Sequence, residues 1–263
     1  MKSVFKKIKY LLITSLLLLL SSKAAFADEK KVLNVGCEGA FAPFTYINDQ
    51  GEITGFDIDL IKVLAEEMGY EVKINVMPFD GLIPSLMTGS IDLIISGFSI
   101  LEQRAKMVDF SNPYYLCGMS YVIDKKNALI FDSYEKLDGH PVCTQLASAG
   151  TTFTHKFLKG AEDKIFNSPP ETYIELGNER CVAAIHDKPV NDFFLNKDTS
   201  GRFTSIEITK NINKEYYGIA VQKGNSKLLK EVNDALENTS KNGKFEEVSR
   251  KWFGINILDS LKN

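Results

Sequence analysis

Residues 96–104 bring together groups that suit the binding of a small anion. They follow an apolar run at 91–95, which predicts a buried parallel strand that ends at a Ser-Gly pair. Ser99 and Glu102 have the spacing of a capping box, so a helix is predicted to begin directly after Ser99. Free N–H groups at that helix start, the Ser99 hydroxyl and the Arg104 guanidinium would then share one surface and favour a carboxylate. The same pattern also fits an arginine on the surface of an ordinary helix.

The part of the chain before this stretch alternates strands with helices. Strands are predicted at 32–36 and 72–76, and apolar residues at helical spacing predict a helix that Asp57 caps and Gly69 ends. A second helix is predicted to begin at Phe79, ahead of the apolar strand. This strand–helix series predicts an α/β fold with a parallel sheet, whose ligands bind at the carboxyl ends of the strands.

The pattern is repeated further along the chain, which predicts a second α/β lobe. An extended run at 114–124 leaves the first unit, and a last strand at 218–221 precedes two amphipathic helices that separate at Asn242-Gly243. Between these parts, strands are predicted at 142–144, 164–166 and 182–185, and helices at 152–158 and 173–176.

The first 27 residues have the composition of a secretory signal. Lysines at positions 2, 6, 7 and 9 precede the apolar run 11–20, and Ala25-Phe26-Ala27 matches a cleavage site. The apolar run is too short to span a membrane. We therefore predict a cleavable signal peptide at residues 1–27, export to the periplasm and a mature chain that begins near Asp28. No cysteine lies near that site, so a lipid anchor is not expected.

The charge of the chain makes nucleic acid and anionic membranes unexpected partners. The full chain has 31 basic and 34 acidic residues and a net charge of −3. The predicted leader holds five lysines and no acid, so 26 basic residues remain against 34 acidic ones, which gives a net charge of −8. Such a protein lacks the positive surface that nucleic acids and anionic lipids attract.

The four cysteines, at positions 37, 117, 143 and 181, match no zinc-binding or C-x-x-C spacing. Export permits disulfides, but each cysteine adjoins an apolar element and would also fit as a small buried residue. Cys143–Cys181 is the first pairing to test, because the strands that carry these residues would be neighbours. The three histidines, at 140, 155 and 186, are scattered and predict no metal site.

Seven motifs follow one another along the chain: APF at 42–44, GFDIDL at 55–60, FDGLIPSL at 79–86, SGFSILEQR at 96–104, VDFSNPYY at 108–115, YGIAV at 217–221 and KWFG at 251–254. With these motifs the chain resembles the bacterial periplasmic amino-acid-binding proteins of ABC importers, the solute-binding protein family 3 that includes glutamine-, histidine- and arginine-binding proteins. The tract at 173–187 is most similar to the glutamine-binding branch. The resemblance covers nearly the whole chain after the leader.

The resemblance implies the type II periplasmic binding protein fold. In that fold two α/β lobes, joined by two crossings, close on the ligand. The crossings are expected at 114–118 and 213–217. Residues 28–113 and 218–263 would then form the first lobe, and residues 119–212 the second.

The resemblance also implies a ligand site between the lobes. Arg104 matches the family arginine that holds the ligand α-carboxylate, as the sequence pattern around it also indicates. Asp187 matches the acid that binds the α-ammonium. Ser99 and the Gly97 carbonyl are expected to contact the backbone of the amino acid, since glycine permits close approach.

Further contacts are implied on both sides of this site. The turn at Ser148-Ala149 precedes a predicted helix and would offer N–H groups to the carboxylate. Ala147 stands where many relatives carry glycine, so this turn can differ from theirs. Phe41 and Phe79 match aromatic positions that sandwich the ligand stem, although core packing is the commoner fate of a phenylalanine.

Glu38, Gln145 and His186 are expected to set side-chain specificity. Glu38 stands where glutamine-binding relatives have aspartate, and Gln145 where they have lysine. Arg104 and Asp187 neutralise a zwitterion, so Glu38 leaves one unmatched negative charge in a cleft that is dry when closed. Arginine, lysine, ornithine or histidine would supply a cation, and we favour these narrowly over glutamine, whose amide would bond to both Glu38 and Gln145. His186 would be either a neutral hydrogen-bond partner or a packing group.

The leading hypothesis is a monomeric solute receptor without a cofactor, which captures a polar amino acid and delivers it to the membrane permease of an ABC importer. The sequence holds no G-x-S-x-G, H-E-x-x-H or phosphate-binding loop, so an enzyme is not expected. The alternative is an exported dehydratase-type enzyme on the same scaffold that acts on a small carboxylic acid, with Glu38 as its general acid. A sensory domain ranks third, because we find no transmembrane or signalling segment.

Overall fold

The structure is a computed structural model that describes residues 31–210 and 215–262. The predicted signal peptide, residues 1–27, lies outside the described residues, as does the part of the second predicted crossing that falls within 211–214. None of the described helices is both long and apolar enough to cross a membrane.

Strands in the described residues form two five-stranded sheets, a three-stranded sheet and a two-stranded ladder. They are β1 (Lys31–Cys37), β2 (Ala40–Phe41), β3 (Thr45–Ile47), β4 (Ile53–Thr54), β5 (Tyr70–Val76), β6 (Leu93–Ile94), β7 (Val108–Phe110), β8 (Tyr115–Cys117), β9 (Met119–Asp124), β10 (Pro141–Gln145), β11 (Glu162–Phe166), β12 (Ala183–Asp187), β13 (Phe203–Ile208), β14 (Glu215–Tyr217) and β15 (Ala220–Gln222).

Helices cover both large sheets. They are α1 (Phe56–Met68), α2 (Leu82–Met87), α3 (Glu102–Ala105), α4 (Ala149–Phe157), α5 (Pro169–Gly177), α6 (Lys188–Lys197), α7 (Ser226–Lys241) and α8 (Lys244–Phe253), with short 3-10 turns at Phe79–Gly81, Lys125–Asn127, Tyr134–Leu137 and Ile257–Lys262.

The predicted parallel pairing is confirmed for the strands of the βα series, and each large sheet also contains antiparallel strands, so both sheets are mixed. The first has the strand order β5-β1-β6-β15-β7 and the second β11-β10-β12-β9-β13. Neighbours β1 and β6 are parallel, and so are β10 and its neighbours β11 and β12. Strands β15 and β9 run antiparallel to their neighbours. The chain enters the second sheet through β9 and returns to the first through β15. Neither strand follows a helix of a βα repeat, so no such repeat sets its direction.

A short antiparallel ladder lies where the chain passes between the sheets. Strand β8 leads into β9, β14 leads towards β15, and the two pair with Leu116 opposite Tyr216. The two passages of the chain are therefore held side by side. The lobe boundaries given above stay predictions.

Most of the predicted elements are confirmed where apolar periodicity was strong. Strands β1, β5 and β12 appear where predicted, and α1 ends at Gly69, whose φ of 77° is the left-handed conformation that glycine adopts readily. The predicted cap of α1 is wrong. Gly55 occupies the cap position, while Asp57 is the second residue of the helix and accepts hydrogen bonds from the Gly97 N–H (2.6 Å) and the Tyr114 hydroxyl (3.0 Å).

The cysteines divide into one bridged pair and two free thiols in the described part of the chain. Cys143 and Cys181 form a disulfide with Cα atoms 5.9 Å apart, which confirms the pairing chosen for testing. It ties β10 to the loop before β12, within the second sheet. Cys37 and Cys117 are free and buried.

Candidate functional site

The predicted site residues converge on one small cavity between the two large sheets. The cavity has a volume of about 10 Å³, which is room for about one water molecule. Ten of the eleven predicted residues line it, and the eleventh, Glu38, reaches it through a hydrogen bond to Gln145. The lining is Phe41, Phe79, Gly97, Ser99, Arg104, Gln145, Ser148, Ala149, Gly150, His186 and Asp187.

Arg104 lies at one end of this cavity with only 5% of its surface exposed. Its Nη1 donates to the Ser99 carbonyl (3.0 Å) and its Nη2 to the Ala147 carbonyl (2.9 Å), and its guanidinium stacks 4.3 Å from the centre of the Phe98 ring. Burial lowers the pKa of Arg104 to about 10, and the Asp187 carboxylate opposes that shift. The side chain is therefore a fixed cation at neutral pH, and five N–H donors leave it capacity for a carboxylate.

The capping box predicted at Ser99 is wrong. Helix α3 begins at Glu102, has Leu101 at its cap position and spans four residues. Ser99 instead forms a bridge to Tyr217, and the Ile100 N–H donates to the Tyr216 carbonyl (2.8 Å). Because α3 is so short, the anion-binding character of this region comes from the Arg104 guanidinium and not from a helix terminus.

Helix α4 supplies the helix N-terminus on the opposite wall. Ser148 caps it, with its hydroxyl accepting from the Thr151 N–H (3.2 Å). The first-turn residues Ala149 and Gly150 line the cavity, and N–H groups at this position have no acceptor within the helix. Gly150 was not predicted; a Cβ there would lie 2.4 Å from the Ile185 carbonyl oxygen, so glycine is needed for α4 to pack on β12.

Ala147 occupies the left-handed region with a φ of 59°. An L-residue pays about 1–2 kcal/mol for this conformation, and glycine does not. Ala147→Gly is therefore expected to stabilise the protein by roughly 0.5–1 kcal/mol, after the larger unfolded-state entropy of glycine is deducted. Urea unfolding checks this result. The opposite sign is expected for Ala235→Gly in the middle of α7, and a loss of stability in both variants would contradict the account.

Asp187 ends β12 on the wall opposite Arg104. Its Oδ2 accepts from the Tyr217 hydroxyl (2.5 Å). Burial raises the pKa of Asp187, while the Tyr217 hydrogen bond and the Arg104 charge oppose the rise. The same cavity thus holds a buried carboxylate and a buried guanidinium. Asp187 lies on the side of the second large sheet, and Arg104 lies on the side of the first.

Gln145 lines the cavity, and Glu38 lies behind it. Gln145 Nε2 donates to Glu38 Oε1 (2.7 Å) and to the Asn167 carbonyl (3.1 Å). Both acceptors face the same nitrogen, so the amide orientation is fixed and Oε1 points away from them. Glu38 Oε2 and Gln145 Oε1 are buried without a hydrogen-bond partner in residues 31–210 and 215–262. Burial raises the pKa of Glu38 to about 7.

His186 is a neutral hydrogen-bond partner in the cavity wall. Its Nε2 lies 2.7 Å from the Thr172 hydroxyl, which itself donates to the Pro169 carbonyl (2.6 Å). The Thr172 hydrogen is therefore used, so His186 Nε2 carries a proton and its Nδ1 is an acceptor. Burial lowers the pKa of His186 to about 3, which keeps the ring uncharged at neutral pH.

Phe41, Phe79 and Gly97 shape the wall beside Arg104. Gly97 has a φ of 53°, and a Cβ there would lie 2.4 Å from the Phe41 ring, so glycine lets the backbone approach that ring. Phe79 packs against Phe98 at a centroid distance of 5.7 Å. Both predicted phenylalanines face the cavity and the core at once.

Tyr217 and Asn167 are site partners that the residue analysis missed. Tyr217 was visible only as part of the YGIAV motif, and its contact with Asp187 joins residues 30 positions apart. Asn167 contributes a backbone carbonyl, for which a sequence carries no signal.

Sequence comparison identifies the family of the chain. Residues 33–255 match the model of the bacterial extracellular solute-binding proteins, family 3. The L-cystine-binding protein TcyJ of Escherichia coli strain K12 is 30% identical over 244 residues, covering 90% of this chain and 91% of that protein. The L-arginine-binding protein of Pseudomonas aeruginosa strain PAO1 is 32% identical over 261 residues, covering 96% and 99%.

Solved structures give the same result. An ancestral arginine-binding protein bound to glutamine has a TM-score of 0.81 and 38% identity, covering 86% of this chain and 99% of that chain. An ancestral arginine-binding protein bound to arginine also has a TM-score of 0.81 and 38% identity, covering 85% of this chain and 99% of that chain. The predicted type II periplasmic binding protein fold is therefore confirmed. By its sequence and by this likeness, the chain belongs to the bacterial extracellular solute-binding proteins, family 3.

Proposed function

We propose that this protein captures a polar L-amino acid and delivers it to the membrane permease of an ABC importer. The observation that carries the proposal is a buried guanidinium and a buried carboxylate on facing walls of one small cavity. Arg104 and Asp187 offer opposite charges to the two poles of a zwitterion, and α4 adds N–H donors for the carboxylate. The names of the cystine-binding and arginine-binding relatives support the same ligand class.

Capture would involve closure of the two lobes in the periplasm. The first lobe comprises residues 28–113 and 218–263, the second residues 119–212, and the hinge lies at 114–118 and 213–217. The bond from Arg104 Nη2 to the Ala147 carbonyl and the bond from Gln145 to Glu38 both join the two proposed lobes. The ladder of β8 and β14 supports a hinge at that place, because it is short and separate from both large sheets.

The pair of Glu38 and Gln145 favours a ligand whose side chain ends in a cation. Glu38 Oε2 and Gln145 Oε1 are two buried acceptors that need donors. A guanidinium or an ammonium only donates, and its charge also balances Glu38. A glutamine amide also brings a carbonyl that needs a donor, and Gln145 Nε2 is already used. Arginine, lysine and histidine are therefore favoured narrowly over glutamine.

Glu38→Gln is expected to weaken binding of L-arginine by roughly 10- to 100-fold, which is the free-energy value of a hydrogen bond to a charged group, and to weaken binding of L-glutamine by less.

In the wild-type protein, arginine affinity is expected to rise with pH through about 7, because the pKa of Glu38 lies there and the cation binds its ionised form. Calorimetric titration of both ligands at several pH values measures these effects, after a thermal-shift screen of the common L-amino acids.

Glu71→Gln, at an exposed position of β5, is the matched control and is expected to change neither affinity. Equal losses for arginine and glutamine in Glu38→Gln would remove the charge argument but keep the amino-acid receptor. A wild-type protein that none of the L-amino acids stabilises would contradict the proposed function itself.

The dehydratase alternative receives less support from the site. It requires a general acid without another partner, and Glu38 is the acid considered for that role. Glu38 accepts a hydrogen bond from Gln145 and does not itself line the cavity.

A further inference from the structure

Glu215 lies beside Asp187, the residue proposed to bind the ligand ammonium, but it does not line the cavity. It is the first residue of β14, opposite Cys117 of β8 in the proposed hinge. One atom each of Glu215, Asp187 and Cys117 lie within 4.8 Å of one another. Glu215 Oε2 is buried and has no hydrogen-bond partner in the described part of the chain.

The charges around Glu215 do not balance when both carboxyl groups are ionised. The groups that face it are Asp187 at the end of β12, Arg104 on α3, Cys117 on β8 and Tyr217 on its own strand. The cation among them, Arg104, donates to two backbone carbonyls, and the Tyr217 hydroxyl donates to Asp187. A buried and a half-buried carboxylate at this separation repel each other strongly, so the empty site keeps a proton on the pair.

We propose that Glu215 makes amino-acid binding proton-linked: the ligand ammonium displaces a proton that the empty protein shares between Glu215 and Asp187. This inference rests on the proposed function, because it needs the ammonium to dock on Asp187. The ammonium lies nearer the pair than the ligand carboxylate, which binds Arg104, so the positive pole dominates and the proton leaves to solvent.

The direction of the pH effect follows from this exchange. Burial, and then the neighbouring Asp187, raise the pKa of Glu215 to about 7. The ligand binds the ionised pair, so affinity rises with pH through neutrality and falls as the pair takes up its proton. The two groups titrate as one coupled pair, so the proton count, between zero and one for each ligand bound, belongs to both.

Calorimetry with L-arginine in phosphate and in Tris at pH 7 tests the proposal, because the dependence of the binding enthalpy on buffer ionisation gives the number of protons released. We expect release by the wild-type protein and less release by Glu215→Gln. Glu38→Gln removes the separate contribution of Glu38, and the double variant is expected to release almost none. Glu207→Gln, exposed on β13, is the control that should match the wild-type protein.

The outcomes separate the two proposals. No binding of any amino acid by the wild-type protein contradicts the proposed function. Binding with undiminished proton release in Glu215→Gln, or with proton uptake, overturns the role of Glu215 while the receptor function stands. If Glu215→Gln does not fold, carboxyl carbon NMR of the Glu38→Gln variant decides, because Glu38 no longer titrates there: a remaining glutamate must titrate near neutrality in the empty protein and lose that titration with arginine bound.

Discussion

Arg104→Ala is expected to abolish detectable binding of amino acids while the protein stays folded. Removal of one partner from a buried, hydrogen-bonded charge pair costs about 2–5 kcal/mol or more, which corresponds to a loss of affinity of roughly 30-fold to several thousand-fold. The loss is at the upper end here, because Arg104 is 5% exposed and the ligand carboxylate would be left desolvated without a counter-charge. Calorimetry with L-arginine and L-glutamine measures it, and circular dichroism confirms the fold.

Two further variants make this test specific. Arg104→Lys keeps the charge but loses the planar fork that bonds the Ser99 and Ala147 carbonyls, so intermediate affinity is expected. Arg180→Ala removes an exposed arginine that pairs with Glu175 (2.9 Å), and no change in affinity is expected. Unchanged affinity in Arg104→Ala would reject the assignment of the site.

Loss of the Cys143–Cys181 disulfide is expected to destabilise the protein by about 4 kcal/mol. The two residues are 38 positions apart, and the estimate is the chain entropy that a loop of this length restores to the unfolded state. For a chain of this size the melting temperature should fall by roughly 8–16 °C. Differential scanning calorimetry of Cys143→Ala/Cys181→Ala against the wild-type protein measures the effect.

A reducing agent provides the matching control. It should lower the melting temperature of the wild-type protein and leave that of the double variant unchanged, since Cys37 and Cys117 are already free thiols. Amino-acid affinity should change little, because the disulfide lies within the second sheet and does not cross the cavity. A double variant as stable as the wild-type protein would show that the bridge does not constrain the chain.

Local sequence patterns predicted most of the strands and helices, because the spacing of apolar residues indicates which face of a single strand or helix is buried. The alternating and helical apolar patterns placed β5 and α1 correctly, whereas α5 begins at Pro169, four residues before the predicted start at Tyr173. The same approach missed α6, because its mixed sequence after Asp187 has no clean apolar stripe. It also missed β13, whose direction and pairing depend on β9, 79 to 89 positions away in register.

The two errors in capping share one cause. Asp57 and Ser99 each have the residue type and spacing of a helix cap, but long-range contacts determine where their backbone lies. Asp57 is drawn to Gly97, 40 positions away, and Ser99 is held against Tyr217. Side chains that converge from different strands, such as Glu38 and Gln145, were reached only through the resemblance, since their separation of 107 positions leaves no local signal.

The burial of both charged ends of the cavity has a kinetic consequence. Arg104 and Asp187 are each 5% exposed, so a solute cannot pass between the walls in this arrangement. The residence time of a bound solute is then governed by how often the walls part, and bonds that bridge them slow that event. Solutes that differ in the bonds they make across the walls would enter at similar speeds and depart at very different ones.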